Sequence, residues 1–253
     1  MRVVTAAERP DLADPASEQT GDMFPEYNSH GDVLNRYWHR LNEERPGFQF
    51  YLLGDEGELL VRAHSVPVRW DGSLDDLPAG IDGAIARAFD EEGGDVLCAM
   101  LIAVPSAFRG RGLSGLALRA MSELAARHGL PALIAPVRPN RKDRYPLAPI
   151  ERYCAWRRSD GQLFDPWLRV HERAGGTLLK PEPQSLRITG TVFEWETWTD
   201  MVFPQSGEYW FPGGLATVAI DRDHDLGTYW EPNVWMRHLA PDPAGSTPEA
   251  ALA

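Results

Sequence analysis

The chain has 253 residues, of which 43% are hydrophobic and 25% charged, with a formal net charge of −12. This length allows one large domain or one domain with an extension, and the composition is typical of a folded protein with a hydrophobic core. The acidic charge argues against a nucleic-acid partner, since phosphate binding needs clustered Lys and Arg. The only cysteines, Cys98 and Cys154, have no His or second Cys at metal-ligand spacing, so neither a disulfide framework nor a metal site is predicted.

The sequence carries no signature of export or membrane insertion. The first residues contain no apolar run of signal-peptide length, and no stretch approaches the roughly 20 apolar residues of a membrane span. We therefore expect a cytoplasmic protein without a membrane partner. Lys occurs only at positions 142 and 180, and this bias towards Arg suggests a GC-rich bacterial genome. A homodimer is compatible with the sequence, which does not specify the oligomeric state.

The first ninety residues predict an α/β pattern. Residues 1–22 are polar and contain proline, which indicates a loose N-terminal arm. An amphipathic helix is predicted over 29–44, where Val33, Tyr37 and Leu41 recur at helical spacing. Two strands follow within 48–70, joined by a Gly54–Gly57 turn, with Pro67 marking a bulge or break. A second helix fits 81–92.

The next segment predicts a strand, a helix and a parallel strand. Residues 95–104 are apolar with almost no alternation, as in a strand covered on both faces. A helix extends to about His128, with apolar and charged residues on opposite sides. Residues 132–137 form another apolar strand, so the segment is a βαβ unit whose strands are parallel or nearly so.

The remaining chain is less regular. Residues 138–162 are rich in Arg and have no clean period, and a short helix follows before 177. Thr191 and Glu194 have the spacing of a capping box, which predicts a helix to about Asp200. We interpret 23–240 as a single domain with an Arg-rich insert at 138–162 and an extended C-terminal sheet region at 184–240. Residues 241–253 are predicted to be a disordered tail.

Five of the nine Trp residues lie in this last quarter of the chain. Two interpretations remain open for them. They fill a core or a sheet face, or they form the wall of a pocket, because large flat rings bury area at little entropic cost. The five are Trp195, Trp198, Trp210, Trp230 and Trp235.

A Gly-rich turn between the apolar strand and its helix carries the chemistry. Glycines at 110 and 112 remove the Cβ atoms that would keep an anion from the backbone, and the helix start directs free N–H groups to the same point. Arg109 and Arg111 add positive charge within an acidic chain. A diphosphate suits this arrangement. The turn is not a Walker A loop, which requires Gly-Lys-Ser/Thr, and its glycine spacing differs from the dinucleotide fingerprint.

The pattern Arg109-x-x-Gly112-x-Ser114 resembles the central motif Arg/Gln-x-x-Gly-x-Gly/Ala of the Gcn5-related N-acetyltransferase (GNAT) superfamily, with Ser in the last small position. Val104 and Phe108 also stand where the superfamily pattern has a Val and an aromatic residue. The resemblance covers about 48–183. It implies an α/β (α+β) fold with a mixed, mostly antiparallel twisted sheet, a splayed central strand and helices on both faces.

The resemblance also implies an acyl-coenzyme A co-substrate, acetyl-coenzyme A or another acyl-CoA. Backbone groups of Ile102 and Val104 would pair with the pantetheine arm, and Asn140, at the end of the fifth strand, would lie beside that arm. The residues whose amides would hold the diphosphate are Arg109, Gly110, Arg111, Gly112, Leu113 and Ser114.

The acid and base of the reaction are less clear from the resemblance. The superfamily pattern Tyr-x-x-x-Gly-aromatic corresponds here to His171-x-x-x-Gly175-Gly176, so His171 stands where the tyrosine often protonates the departing thiolate. His171 is either that acid or a structural histidine on a short helix. Residues 96–108 contain no carboxylate to serve as a base. Glu151, Asp165 and Glu231 are substitutes that the sequence does not distinguish.

Two classes of function follow. The first is transfer of an acetyl or other short acyl group from acyl-coenzyme A to the amine of a small molecule. The second is a GNAT fold that keeps the coenzyme A cleft but acts as a non-transfer enzyme or as a ligand-sensing or binding subunit. The Arg-rich insert divides them. It is either a solvated loop or a lining of the acceptor site, where Arg141, Arg144 and Arg152 would favour a carboxylate-bearing acceptor.

Overall fold

The computed structural model describes residues 1–241, without the side chain of Asp22. The predicted tail, except for Pro241, lies outside the described residues. The strands are β1 (Arg2–Thr5), β2 (Phe50–Leu53), β3 (Leu59–Val68), β4 (Val96–Ala103), β5 (Ala132–Val137), β6 (Thr177–Gly190), β7 (Gly207–Tyr209), β8 (Val218–Asp221) and β9 (Leu226–Leu239). The helices are α1 (Ala13–Thr20), α2 (Leu34–Trp38), α3 (Arg40–Glu44), α4 (Gly80–Asp90), α5 (Leu113–Arg127), α6 (Ile150–Tyr153), α7 (Pro166–Arg173) and α8 (Val192–Thr199).

The strands form one mixed sheet in the order β1-β2-β3-β4-β5-β9-β8-β7, and β6 also pairs with β9. Among the described strands only β4 and β5 pair in parallel, and the other pairs are antiparallel. The predicted fold class and the parallel βαβ unit are therefore confirmed. No helix within residues 1–241 is long and apolar enough to cross a membrane.

Helices cover the sheet on both sides. Leu97 of β4 packs with Leu118, Met121 and Leu124 of α5, and we call this side the α5 face. The next residue, Cys98, packs with Ile85 of α4 on the other side, the α4 face. Because successive side chains of a strand point to opposite faces, a continuous run of apolar residues supplies both cores.

The N-terminal residues are not the loose arm that their polarity predicts. Arg2–Thr5 forms β1 and pairs with β2, and α1 places Ala16 against Tyr51 and Leu59. The strand and helix are short and mostly exposed, so their local sequence is polar. Their order comes from strand pairing and from a few buried contacts with residues far along the chain.

Several predicted boundaries move for similar reasons. The helix predicted over 29–44 is divided into α2 and α3 and begins only at Leu34, because Asp32 bonds to β6 through Arg187 and Thr189. Pro67 does not break its strand. It lies within β3, opposite Leu97 of β4. The capping box is confirmed: Thr191 and Glu194 bond reciprocally at the start of α8.

The parallel strands β4 and β5 separate after a short pairing. They are in register only at Leu97↔Leu133 and Cys98↔Ile134. Opposite β3, consecutive residues His64 and Ser65 face Leu101 and Ala99, so Met100 is the extra residue of a β-bulge. A bulge bends its strand and increases the local twist. The residues of β4 beyond the bulge therefore diverge from β5, which confirms the predicted splay.

A second opening lies along β9. One edge of this strand pairs with β6 from Gly227 to Arg237. On its other edge, β8 pairs up to Tyr229 and β5 begins at Val234, so residues 230–233 lack a partner strand there. The two openings are adjacent because β5 borders both. Together they form a gap through the middle of the sheet.

Candidate active site

A cavity of about 390 Å³ occupies these openings. Residues 99–103 of β4 and 135–138 at the end of β5 form its walls. Trp167 and His171 of α7 border it from the α5 face. The α4-face border comes from α1, the segment before α2, and the side chains Trp38, Arg62, Arg138, Glu231 and Asn233. The cavity thus connects the two faces of the sheet.

The Gly-rich turn leads from β4 into α5 as predicted. Gly110 and Gly112 have φ of 79° and 75°, and Gly112 is the N-cap of α5. A Cβ at either position would meet no protein atom within 4 Å, so the space beside the turn is open. Within the described residues, the amides of residues 110–114 donate to no backbone carbonyl. The turn therefore offers unsatisfied donors at the positive end of a fifteen-residue helix, which fits a diphosphate.

The charges around the turn suit an anion as well. Arg109 and Arg111 are exposed and form no salt bridge with a described acidic residue, and the guanidinium of Arg111 lies over the Phe108 ring. Ile102 borders the cavity beyond the bulge, and Val104 is buried just after β4. Both stand where a pantetheine arm would pass along the separated edge of β4. Their role, like that of residues 109–114, stays a prediction.

Asn140 lies beyond the end of β5 and not at its last residue, and its role beside the pantetheine arm stays a prediction. Strand β5 ends at Val137, and Asn140 is exposed, with its backbone amide donating to Asp165. Asn233 of β9 borders the cavity instead. Its amide nitrogen donates to the carbonyl of Pro136, and its Oδ1 is buried without a partner among the described residues. The sequence gave no local signal for Asn233, because its place depends on the pairing of β9 with β5.

His171 lies on α7 at the cavity, buried at 2% exposure. Its Nδ1 is 2.9 Å from Nε2 of His238, and its Nε2 has no described partner. Burial, followed by the neighbouring His238, lowers the pKa of His171 to about 3. The imidazole is therefore neutral near pH 7, and any proton it gives must come from a neutral N–H.

The structure separates the three candidate carboxylates. Asp165 caps α7 and accepts from Asn140, Arg141 and Tyr153, so its oxygens are occupied by structural bonds. Glu151 is exposed and does not border the cavity. Only Glu231 borders the cavity, and it is buried at 2% exposure.

Glu231 belongs to a buried polar cluster on the α4 face. Its Oε1 accepts from Nε of Arg138 at 2.9 Å, and Asn28 lies 3.3 Å from both carboxylate oxygens. The hydroxyls of Tyr27 and Tyr229 approach Oε2 at 3.5 and 3.4 Å. Burial and the Glu231 charge raise the pKa of both tyrosines, which keeps them protonated. The Tyr27 hydroxyl donates to the carbonyl of Gly213 at 2.7 Å, and the Tyr229 hydroxyl faces Glu231. The carboxylate is thus surrounded by one guanidinium and by neutral polar groups.

Comparison with known proteins identifies the family of the chain. No family model matches the chain. The arginine N-acetyltransferase avaD of Aspergillus versicolor is 30% identical over 270 residues, covering 92% of each chain. The chain belongs to the GNAT superfamily. It is an enzyme of the N-acyltransferase type.

Two solved structures share the fold. The loading GNATL domain of CurA from Lyngbya majuscula has a TM-score of 0.63 and 17% identity, over 94% of this chain and 97% of its own. The GphF GNAT-like decarboxylase, in complex with isobutyryl-CoA, has a TM-score of 0.62 and 16% identity, over 95% of this chain and all of its own. At this identity they bear on the fold alone.

Of the two interpretations of the Arg-rich insert, the structure favours the solvated loop for most of its length. Arg141, Arg144 and Arg152 are exposed and do not border the cavity. The first residue of the insert, Arg138, does border it. The sequence signal for Arg138 was its position directly after β5. A residue at the end of a strand that borders an opening in the sheet can direct its side chain into that opening.

None of the five C-terminal Trp residues borders the cavity of the GNAT enzyme. Trp195 and Trp235 are fully buried in two separate cores, and Trp210 is half exposed. The core interpretation is therefore correct for Trp195 and Trp235. The aromatic side chains that border the cavity are instead Phe24, Trp38 and Trp167, which the sequence gave no reason to select.

Proposed function

We propose that this GNAT enzyme transfers an acetyl or other short acyl group from acyl-coenzyme A to the amine of a small molecule. The observation that carries the proposal is the cavity through the sheet. It lies where β4 leaves β5 and continues from the His171 side on the α5 face to Glu231 on the α4 face. Two reactants that approach from opposite faces would meet at the separated edge of β4.

The coenzyme half of the proposal rests on residues 102–114. The free amides of 110–114 would bind the diphosphate, with Arg109 and Arg111 adding charge, and the separated edge of β4 at Ile102 and Val104 would pair with the pantetheine arm. This arrangement would carry the thioester to the cavity. The ligand-free geometry supports the fit because the space beside both glycines is open.

In the proposed reaction, the neutral amine attacks the thioester carbonyl. A C–N bond forms, the C–S bond breaks, the amine loses a proton and the sulfur gains one. Glu231 is the proposed acceptor of the amine proton, directly or through water, because it is the carboxylate among the three candidates that borders the cavity. His171 Nε2 is the proposed donor to the departing sulfur, since it is unpartnered at the opposite border, and its Nδ1 would take up a replacement proton relayed from solvent through His238.

We propose arginine as the first acceptor to test. The chain is 30% identical to an enzyme named for arginine, and the buried Glu231 is a carboxylate that suits a cationic acceptor. A cavity of about 390 Å³ has room for a small molecule rather than for a folded protein surface.

The test combines binding with turnover. Acetyl-coenzyme A should raise the melting temperature, since a ligand that binds the folded state stabilises it. Release of free thiol should then depend on the added amine, in a panel of amino acids and simple amines, with the acylated product identified by mass. Thiol release from acetyl-, malonyl- or isobutyryl-coenzyme A without any amine would contradict transfer and favour the non-transfer alternative.

A further inference from the structure

Arg62 is a guanidinium at the cavity that the proposed reaction does not use. It lies on β3 opposite Ala103 of β4 and is partly buried. His64, two residues along the same strand, packs against Trp38 of α2. Residues two apart on a strand share a face, so Arg62 points to the α4 face. The Gly-rich turn and α5 lie on the other side.

The partners of Arg62 are neutral, which the hydrogen bonds around Gln49 establish. The amide nitrogen of Gln49 donates to the carbonyls of Arg45 and Ser65, so its oxygen is the acceptor for Nδ1 of His64 at 3.0 Å. His64 therefore carries its proton on Nδ1. Its Nε2 lone pair accepts from Nε of Arg62 at 2.8 Å.

Two effects keep His64 uncharged. Burial, followed by the charge of Arg62, holds the pKa of His64 well below its usual value. The second partner, Thr20, donates its hydroxyl to the carbonyl of Ala16 and accepts from Nη1 of Arg62 at 3.2 Å. Arg62 is thus fixed in position by two groups that do not neutralise it.

No described carboxylate lies within 4.0 Å of the Arg62 guanidinium, in contrast to Arg138, which is paired with Glu231. Two of the five N–H donors of an arginine side chain are used here, which leaves Nη2 and one donor of Nη1 for a ligand. A partly buried cation without a counter-charge is costly, and a planar anion that reaches the remaining donors relieves that cost.

We infer that Arg62 binds the carboxylate of the acceptor, which makes the acceptor an amino acid and Arg62 a determinant of its selection. The inference rests on the proposed function, because the bound molecule is an acceptor only if the enzyme transfers an acyl group to it. The carboxylate belongs to the acceptor rather than to the acyl group, because Arg62 lies on the α4 face and the coenzyme turn on the α5 face. Arg62 and the Arg138–Glu231 pair both point to this face, so one acceptor can contact a free cation and a buried carboxylate.

The experiment compares free amino acids with their carboxamides, which keep the amine and side chain but lose the carboxylate charge. Binding of arginine and argininamide is titrated calorimetrically in the presence of coenzyme A, and kcat/KM is measured for each acid–amide pair of the panel. The wild type should favour the acid by roughly 10- to 100-fold, the range for a charge-assisted hydrogen bond. Arg62→Met should remove this preference by weakening the acid alone.

Arg127→Met is the matched control, since Arg127 is exposed on α5 and does not border the cavity. It should keep the wild-type preference. Equal use of acid and amide by the wild type overturns the inference without any variant, as does an equal loss for both in Arg62→Met. A preference for malonyl- over acetyl-coenzyme A that Arg62→Met abolishes also overturns it, because the carboxylate would then be on the acyl group. Carboxylate-dependent binding without acyl transfer, lost in Arg62→Met, would refute the proposed function but keep Arg62 as the group that binds the carboxylate of an amino-acid ligand.

Discussion

The two sides of the cavity differ in the groups that form them: backbone amides on one side and side chains on the other. The proposed coenzyme side is one continuous segment, residues 102–114, whose donors are backbone amides and whose shape depends on Gly110 and Gly112. The proposed acceptor side is assembled from side chains of β3, β9 and the end of β5, which are distant in sequence. A site made from backbone leaves a compact pattern in the sequence, whereas a site made from side chains of several strands leaves none.

The largest effect should come from Gly112→Leu. A side chain there enters the open space beside the turn and blocks the diphosphate, so the melting-temperature shift with acetyl-coenzyme A should vanish. Gly129→Leu is the control, because Gly129 has nearly the same φ (72° against 75°) just past the other end of α5 and also has open space around it. Both variants carry a similar backbone strain of about 1–2 kcal/mol. If both variants lose the melting-temperature shift, the loss comes from backbone strain at a glycine with positive φ and not from a blocked diphosphate site.

On the acceptor side, Glu231→Gln should lower kcat by roughly 10²–10⁴-fold, the usual contribution of a general base. The variant also leaves Arg138 without its partner and should lose about 3 kcal/mol of unfolding free energy. The double variant Glu231→Gln/Arg138→Gln should recover stability without recovering rate. If kcat per folded molecule stays at the wild-type level, Glu231 is a structural partner of Arg138 and not the base.

The effect of His171→Ala should be smaller, about 10²-fold in kcat at saturating substrate, because a neutral imidazole is a weak proton donor. His171→Tyr should restore part of the rate. The shift with acetyl-coenzyme A should persist in both, since the Gly-rich turn lies on another element. A variant with normal turnover and lower stability would identify His171 as a structural histidine.

The smallest effect concerns pH. The pKa of His171 is about 3 in the folded protein and near 6.5 when unfolded. Between these values the unfolded chain binds a proton that the folded protein does not, so stability is full above pH 6.5 and falls as the pH drops towards 3. The contribution is at most about 1.4 kcal/mol per pH unit. Denaturant titrations at pH 7 and 5 should show a smaller fall in unfolding free energy for His171→Tyr than for the wild type. An equal fall in both proteins would show that burial does not keep His171 neutral.

The sequence by itself determined the coenzyme side. The apolar run of β4, the glycines with positive φ and the amphipathic α5 are local features, so their order predicted the strand–turn–helix–strand unit. The capping box before α8 was equally local. In each case the deciding interactions lie within a few residues of one another, which is the range over which a sequence pattern carries physical meaning.

Only the tertiary structure decided the acceptor side. The pairing of Arg2–Thr5 with β2 ordered an N-terminal segment whose polar sequence predicted an arm. The interrupted edge of β9 placed Glu231 and Asn233 at the cavity, whereas Asp165 and Glu151 do not border it. Strand pairing joins residues far apart in the chain, and a one-residue change of register would turn each of these side chains to the opposite face.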